Sequence, residues 1–180
     1  MPLYLFEATT SGPDLAAELI GTLGRTVAEA GGELIEAQVT GGAERVFAVV
    51  EAPGADLVAA AVRAAPLPGA ATVAGPDPVR LVGAELDEVK AARPEAGYLV
   101  EWDLPAELDM ESYLARKKAN APRYAEVPEV SFLRTYVRED MVKCLCLYDA
   151  PSGDDVLRAR EAVRTPVDRL HALAPSEESQ

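Results

Sequence analysis

The chain repeats itself. YLFEA at Tyr4 to Ala8 returns as YLVEW at Tyr98 to Trp102, 94 positions later, and VFAVVEAP at Val46 to Pro53 returns as CLCLYDAP at Cys144 to Pro151, 98 positions later. Two echoes in the same order at nearly the same offset describe a duplication, and they restrict the fold to one that can be built twice in a chain of this length. Each half must then carry the same succession of hydrophobic periods.

Half one opens with a strand at 3–8 and a helix from Pro13 to Ala30, with Leu15, Leu19, Leu23 and Val27 on one stripe and Gly31-Gly32 as its stop. Strands at 33–40 and 45–51 follow. TGGAE joins them as a hairpin in which Gly41-Gly42 supply backbone freedom. A helix at 56–65 and a last strand in PVRLVG complete the half. Half two reads the same way: a strand at 98–103, a helix opened by Asp109 with Met110, Tyr113 and Leu114 inward, strands at 130–138 and 142–149, a helix at 154–163 and a closing strand in VDRLHAL. The order βαββαβ, twice, predicts an α+β protein of two ferredoxin-like modules over 1–84 and 98–173. The polar stretch 85–97 reads as a linker, and 174–180 as a frayed tail.

Along Val46 to Val50 both alternating sets are apolar, Val46, Ala48 and Val50 on one side and Phe47 and Val49 on the other. A ferredoxin-like sheet carries helices on only one face, so its second face needs cover. The expected cover is the equivalent sheet of the other half, as in a pseudo-dimeric α+β barrel or sandwich within a monomer, or the sheet of a second chain in a homodimer. Either arrangement leaves a cleft suited to a ligand.

Composition narrows the partners. A net charge of −13 and a pI near 4.5 repel phosphate backbones and anionic lipid, which excludes nucleic acid and membrane surfaces as general partners. Apolar runs such as RVFAVVEAP are too short to span a bilayer, and the opening MPLYLFEATTSGPD lacks the layout of a secretory leader, so a cytoplasmic protein is expected. Cys144 and Cys146, two apart along a strand, cannot close an ordinary disulfide, which agrees with a reducing compartment. Two thiolates on one face could hold a soft metal only with further ligands. The single histidine, His171, is far along the chain, so the cysteines read as buried strand interior, with no metal site and no cofactor expected.

Several side chains carry candidate chemistry. FLRTYV places Phe132, Arg134 and Tyr136 on one face, a lining for a carbonyl, carboxylate or aromatic ligand, with Leu133, Thr135 and Val137 turned toward the helices. YLVEWD brings Tyr98, Val100 and the sole tryptophan, Trp102, to one side and Leu99 with Glu101 to the other. An acid inside an apolar strand gains basicity on burial, so Glu101 is a candidate general base; Glu7 is its counterpart in half one. ESYLARKKANAPRY, with Tyr113, Arg116, Lys117, Lys118, Arg123 and Tyr124, is the local concentration of base. It is either a solvated helix face or the mouth of a site for an anion. Phosphate-loop, nucleophile-elbow and dinucleotide fingerprints are missing from the sequence.

GYLVEWDLP, followed by SFLRTYVREDMVKCLCLYDAPSGDDVLRAREAVRTPVDRL, resembles the DUF4242 family, whose members are described as nickel-binding-protein-like. The family pattern maps onto Tyr98 to Pro105, Thr135 to Val137, Cys146 to Asp149 with Ala150-Pro151, and Pro166 to Leu170. The first half follows only in outline, through YLFEA and VVEAPGAD. The resemblance implies a ferredoxin-like fold with paired sheets and keeps Cys146 as the family's strand cysteine. Many members carry a histidine in the helix after the APD turn; this chain has Arg158-Ala159-Arg160 there, which removes the imidazole a nickel site would want.

The reading from sequence is therefore a small-molecule-binding protein whose partner is an organic ligand, anionic or aromatic. Trp102, Tyr113, Lys117, Phe132, Cys146 and Tyr148 are the binding candidates, and Glu101, Arg134 and Tyr136 the candidates for orienting or catalytic roles. The alternatives are a cofactor-independent cyclase or isomerase of secondary metabolism, using Glu101 with Arg134 or Tyr136, and a metal-binding protein.

Overall fold

The computed structural model describes residues 1–92 and 95–175, so Pro94 of the expected linker and the last five residues of the expected tail lie outside the described residues. The chain divides into two compact units, Met1–Val79 and Arg80–Gln180.

The first unit runs β1 (Leu3–Thr9), α1 (Pro13–Glu29), β2 (Glu33–Val39), β3 (Arg45–Glu51), α2 (Ala55–Ala64) and most of β4 (Thr72–Val82). Its strands lie in the order β2-β3-β1-β4, and the pairings of β1 with β3 and β4 and of β2 with β3 are antiparallel. α1 buries Ala16, Leu19, Leu23 and Val27, so the stripe begins at Ala16 rather than at Leu15. Each large apolar side chain sunk in this way contributes about 1.5–3 kcal/mol. Gly31, at φ 84, turns the chain out of the helix, the Gly32 N–H bonds to the Val27 carbonyl at 2.9 Å, and a Cβ on Gly32 would stand 2.3 Å from the Glu51 carbonyl oxygen. In the β2–β3 hairpin, however, the positive backbone angle falls on Ala43, at φ 56, and not on Gly41 or Gly42. Thr10 holds that residue by donating from Oγ1 to the Ala43 carbonyl at 2.6 Å, which makes the strained conformation tolerable without glycine.

The second unit contains α3 (Leu86–Ala92), β5 (Tyr98–Asp103), α4 (Met110–Asn120), a 3-10 helix (Ala121–Glu126), β6 (Ser131–Arg138), β7 (Lys143–Asp149), α5 (Gly153–Ala162) and β8 (Arg169–Ala172). Its strands run β6-β7-β5-β8, the same topology as the first unit. Within the stretch read as a linker, α3 buries Val89. α4 begins at the expected cap, Asp109 accepting from the Ser112 amide at 2.7 Å, and Ser152 caps α5 in the same manner at 3.3 Å.

The duplication extends to the ladder register. Glu7 opposes Phe47 on β1 and β3, and Glu101 opposes Leu145 on β5 and β7; Tyr4 opposes Val50, and Tyr98 opposes Tyr148. Both sheets also carry the same bulge. The register slips between Leu34 and Glu36 on β2 and, 98 residues later, between Phe132 and Arg134 on β6.

Both faces of each sheet are buried, as the double apolar alternation requires. On the helix side of the first unit Tyr4, Phe6, Ala48 and Val50 pack with α1 and α2, while Leu5, Phe47 and Val49 on the other side are at most 3% exposed. In the second unit the helix side holds Val100, Trp102, Val137, Cys144, Cys146 and Tyr148, and the other side Leu99, Glu101, Arg134, Tyr136, Leu145 and Leu147.

Candidate functional site

The bulge in β6 divides the expected cleft lining. Phe132 opposes Tyr148, on the helix side with Thr135 and Val137, whereas Arg134 and Tyr136 oppose Leu147 and Leu145 on the other side. An extra residue at Leu133 reverses the alternation, so Phe132 does not share a face with Arg134 and Tyr136. The candidate residues consequently fall into two groups on opposite faces of one sheet.

On the face away from the helices, Glu101 is completely buried. Its carboxylate accepts from Lys143 Nζ at 2.8 Å and Arg169 Nε at 2.8 Å, and lies 2.7 Å from His171 Nε2. Burial alone would raise its pKa, but the hydrogen bonds from Lys143, His171 and Arg169 outweigh that and hold the carboxyl well below its ordinary value. A carboxylate held in this way is a weak base, so the basicity expected from burial does not develop. Arg169 also grips Asp103 through two bonds of 2.9 and 2.6 Å. The recurrence of the acid has a structural explanation: Glu7 pairs with Arg45 at 2.9 Å, and Arg45 and Lys143 occupy equivalent places on β3 and β7. Each unit ties its two central strands together with a diagonal ion pair.

On the helix face a pocket opens between α4, the 3-10 helix, α5 and the sheet. Its lining includes Trp102 from β5, Tyr113, Arg116 and Lys117 from α4, Tyr124 from the 3-10 helix, Cys146 from β7 and Arg160 from α5. The empty space is about 380 Å³ counting the open mouth. Trp102 lies between two guanidinium groups, Arg116 at 5.5 Å and Arg160 at 5.9 Å from its ring centre, and Tyr113 packs 6.0 Å from it. Tyr124 stacks on Phe132 with ring centres 5.5 Å apart, and Lys117 Nζ sits 4.2 Å from the Phe132 ring centre. The Tyr124 and Tyr148 hydroxyls are 2.6 Å apart.

Arg160 organises the floor. Only 2% exposed, it donates from Nη1 to the Tyr148 hydroxyl at 3.1 Å and to Cys146 Sγ at 3.4 Å, and from Nη2 to the Pro166 carbonyl at 2.6 Å. Its Nε is buried with no hydrogen-bond partner, and among the described residues no carboxylate pairs with it. A buried cation without an acid is costly to retain unless something negative is supplied. Burial pushes the Tyr124 hydroxyl up to about 12, and it likewise raises Tyr148, so both stay protonated as donors at neutral pH.

Trp102, Tyr113, Lys117 and Cys146 thus line the pocket, Tyr148 lies against its floor, and Phe132 supports Tyr124; Glu101, Arg134 and Tyr136 do not reach it. Arg160 entered the sequence reading only as the occupant of a missing histidine's place. Its signal was present in α5, where Val156, Ala159 and Arg160 form the buried stripe, an arginine among apolar positions.

Residues 98–173 match the model of a family described as nickel responsive protein SCO4226-like, over the stretch on which the DUF4242 resemblance rests. No curated protein matches the chain. Among solved structures, the chain is similar to a protein provisionally assigned as a chlorite dismutase, TA0507, with a TM-score of 0.54 and 12% identity over 97% of this chain and 95% of that one. It is also similar to a provisionally assigned monooxygenase from Lactobacillus acidophilus NCFM, with a TM-score of 0.52 and 12% identity over 97% of this chain and 93% of that one. These are likenesses of fold, to α+β barrel proteins. No helix among the described residues is long and apolar enough to cross a membrane.

Proposed function

We propose that the chain is a cytoplasmic small-molecule-binding protein that holds an organic anion, headed by a carboxylate or similar group, in the pocket on the helix face of its second unit. The observation that carries this reading is Arg160, a buried guanidinium with no acid partner among the described residues, opening onto a pocket shared with Lys117 and Arg116 in a protein of net charge −13. Arg160, Arg116 and Lys117 suit a charged head group, while Trp102 and Tyr113 offer apolar walls to whatever follows it. The same arrangement favours binding over a cyclase or isomerase reaction, because Glu101, the acid nominated as base, lies across the sheet and is held ionised.

A nickel-binding reading draws support from the matched family's description and from the 3.9 Å separation of the Cys144 and Cys146 sulfurs. The residues do not fit it. Among the described residues no group of three or more His, Cys, Asp or Glu side chains comes together, and the Arg160 guanidinium occupies the side of Cys146 where a second cation would be repelled.

Trp102 is the only tryptophan and lines the pocket, so its emission reports occupancy directly. Titration with aromatic and aliphatic carboxylates should give a saturable change that weakens ten- to a hundredfold in Arg160→Gln, the range expected for about 1.5–3 kcal/mol of charge-assisted bonding. Identical titrations of the two proteins, or no response of the wild type to millimolar carboxylate, would refute the reading.

A further inference from the structure

The two cysteines are chemically unlike. Cys144 does not line the pocket, whereas Cys146 does, and the Cys146 sulfur accepts from Thr135 Oγ1 at 3.2 Å and from Arg160 Nη1 at 3.4 Å, with Cys144 Sγ 3.9 Å away. Thr135 and Arg160 donate to this sulfur and the Cys144 thiol is able to, and one of the three is the cation that has no carboxylate among the described residues. A sulfur so placed is stabilised as an anion. The geometry points to Cys146 as a buried thiolate that is oxidised to a sulfenic acid by small hydroperoxides entering the pocket, while Cys144 remains a thiol.

The step balances without another reagent. The thiolate attacks one oxygen of hydrogen peroxide, an S–O bond forms as the O–O bond breaks, sulfur loses two electrons, and the distal oxygen leaves as hydroxide and becomes water on taking a proton from solvent. Arg160 and the protonated Tyr148 hydroxyl beside it face the developing negative charge. The same surroundings act on the resting acidity of the pair: Cys146 is lowered, chiefly by the hydrogen bond from Cys144 and then by Arg160, Lys117 and Thr135 against the opposing effect of burial, and Cys144 is raised.

Cys146 lines the pocket but is itself fully buried, so a compact oxidant such as hydrogen peroxide reaches its sulfur more readily than a bulky hydroperoxide or thiol reagent. Cys144 is poorly placed to resolve the product, because a disulfide between residues two apart on a strand needs the backbone to distort. The sulfenic acid should therefore persist until an external thiol reaches it. The inference uses the same pocket as the proposed anion site but does not rest on it, since oxidation can be scored with no organic acid present. With Arg160, Lys117 and Arg116 all lining the pocket, a thiolate and a bound anion can both be compensated.

The test exposes the full chain to the hydroperoxide, removes the oxidant by rapid desalting, unfolds the protein in dimedone and locates the label by mass spectrometry. Labelling of Cys146 should outrun that of Cys144, and that of the pre-unfolded chain, by at least tenfold. It should be slower with cumene hydroperoxide than with hydrogen peroxide and should fall at least tenfold in Arg160→Gln. Equal rates at the two cysteines, or a folded rate no faster than the unfolded one, would overturn the inference. That comparison needs only wild-type protein, so it decides even if Arg160→Gln fails to fold. Failure here leaves the carboxylate titration standing, and failure of that titration leaves this result standing.

Discussion

Replacing Glu101 by glutamine removes the charge from a carboxylate that is completely buried and touched by Lys143, Arg169 and His171 at 2.7–2.8 Å. Breaking a buried ion pair on one side costs about 3–5 kcal/mol, because the partner charge is left uncompensated. Here the cost is smaller. Arg169 keeps Asp103, and its side chain is 39% exposed, so the uncompensated charge is mainly that of Lys143, and glutamine retains an acceptor oxygen. A loss of about 2–3 kcal/mol at pH 7 is expected, or a shift of about 1–2 M in the urea midpoint for an ordinary dependence on denaturant. Trp102 lies in the same unit, so its fluorescence follows the relevant transition. The pH dependence supplies a second check. Glu101 is held below its unfolded value, so its contribution is fully present above about pH 5 and is lost as pH falls through the folded value. By pH 3.5 the gap between wild type and Glu101→Gln should narrow by about 1 kcal/mol, at 1.36 kcal/mol per unit below an unfolded value near 4.3. A gap under about 0.5 kcal/mol at pH 7, or one unchanged between pH 7 and 3.5, would show that Lys143, Arg169 and His171 do not hold this carboxylate as described.

Two further substitutions probe other parts of the structure. Tyr148→Phe leaves Arg160 Nη1 and the Tyr124 hydroxyl each short of a partner, and should cost about 1–3 kcal/mol in urea unfolding while weakening any carboxylate that binds in the pocket. Gly32→Ala forces a methyl against the Glu51 carbonyl and the Val27 side chain, and should lower the thermal midpoint of the first unit by several degrees, with a loss of more than about 2 kcal/mol by circular dichroism.

Periodicity carried most of the fold because each unit is built from short elements whose buried faces leave a direct trace in the sequence. The stripe from Leu19 to Val27, the double alternation from Val46 to Val50 and the cap at Asp109 are local, and each was legible. The bulge was not. A single extra residue at Leu133 leaves no compositional signature, since FLRTYV alternates as a regular strand, yet it moves Phe132 to the opposite face from Arg134. The positive φ at Ala43 was hidden for a related reason: the hydrogen bond that supports it comes from Thr10, in a different element. At the site, aromatic and basic residues of one helix could be grouped from spacing alone. Arg160 could not be given its proposed role, because that depends on which groups come within reach of its guanidinium in three dimensions.

The offset between the halves is 94 residues at the first strand, 98 from the bulge through β7, and 94 again at the last strand, where Tyr4 opposes Pro78 and Tyr98 opposes Ala172. The four surplus residues lie in the crossover between β5 and β6, outside the ladders. In the first unit that crossover is the single long helix α1; in the second it is the shorter α4 followed by the 3-10 turn that brings in Tyr124. A change in length too small to disturb the scaffold therefore accompanies a recast crossover, which in the second unit supplies Tyr124 to the pocket lining.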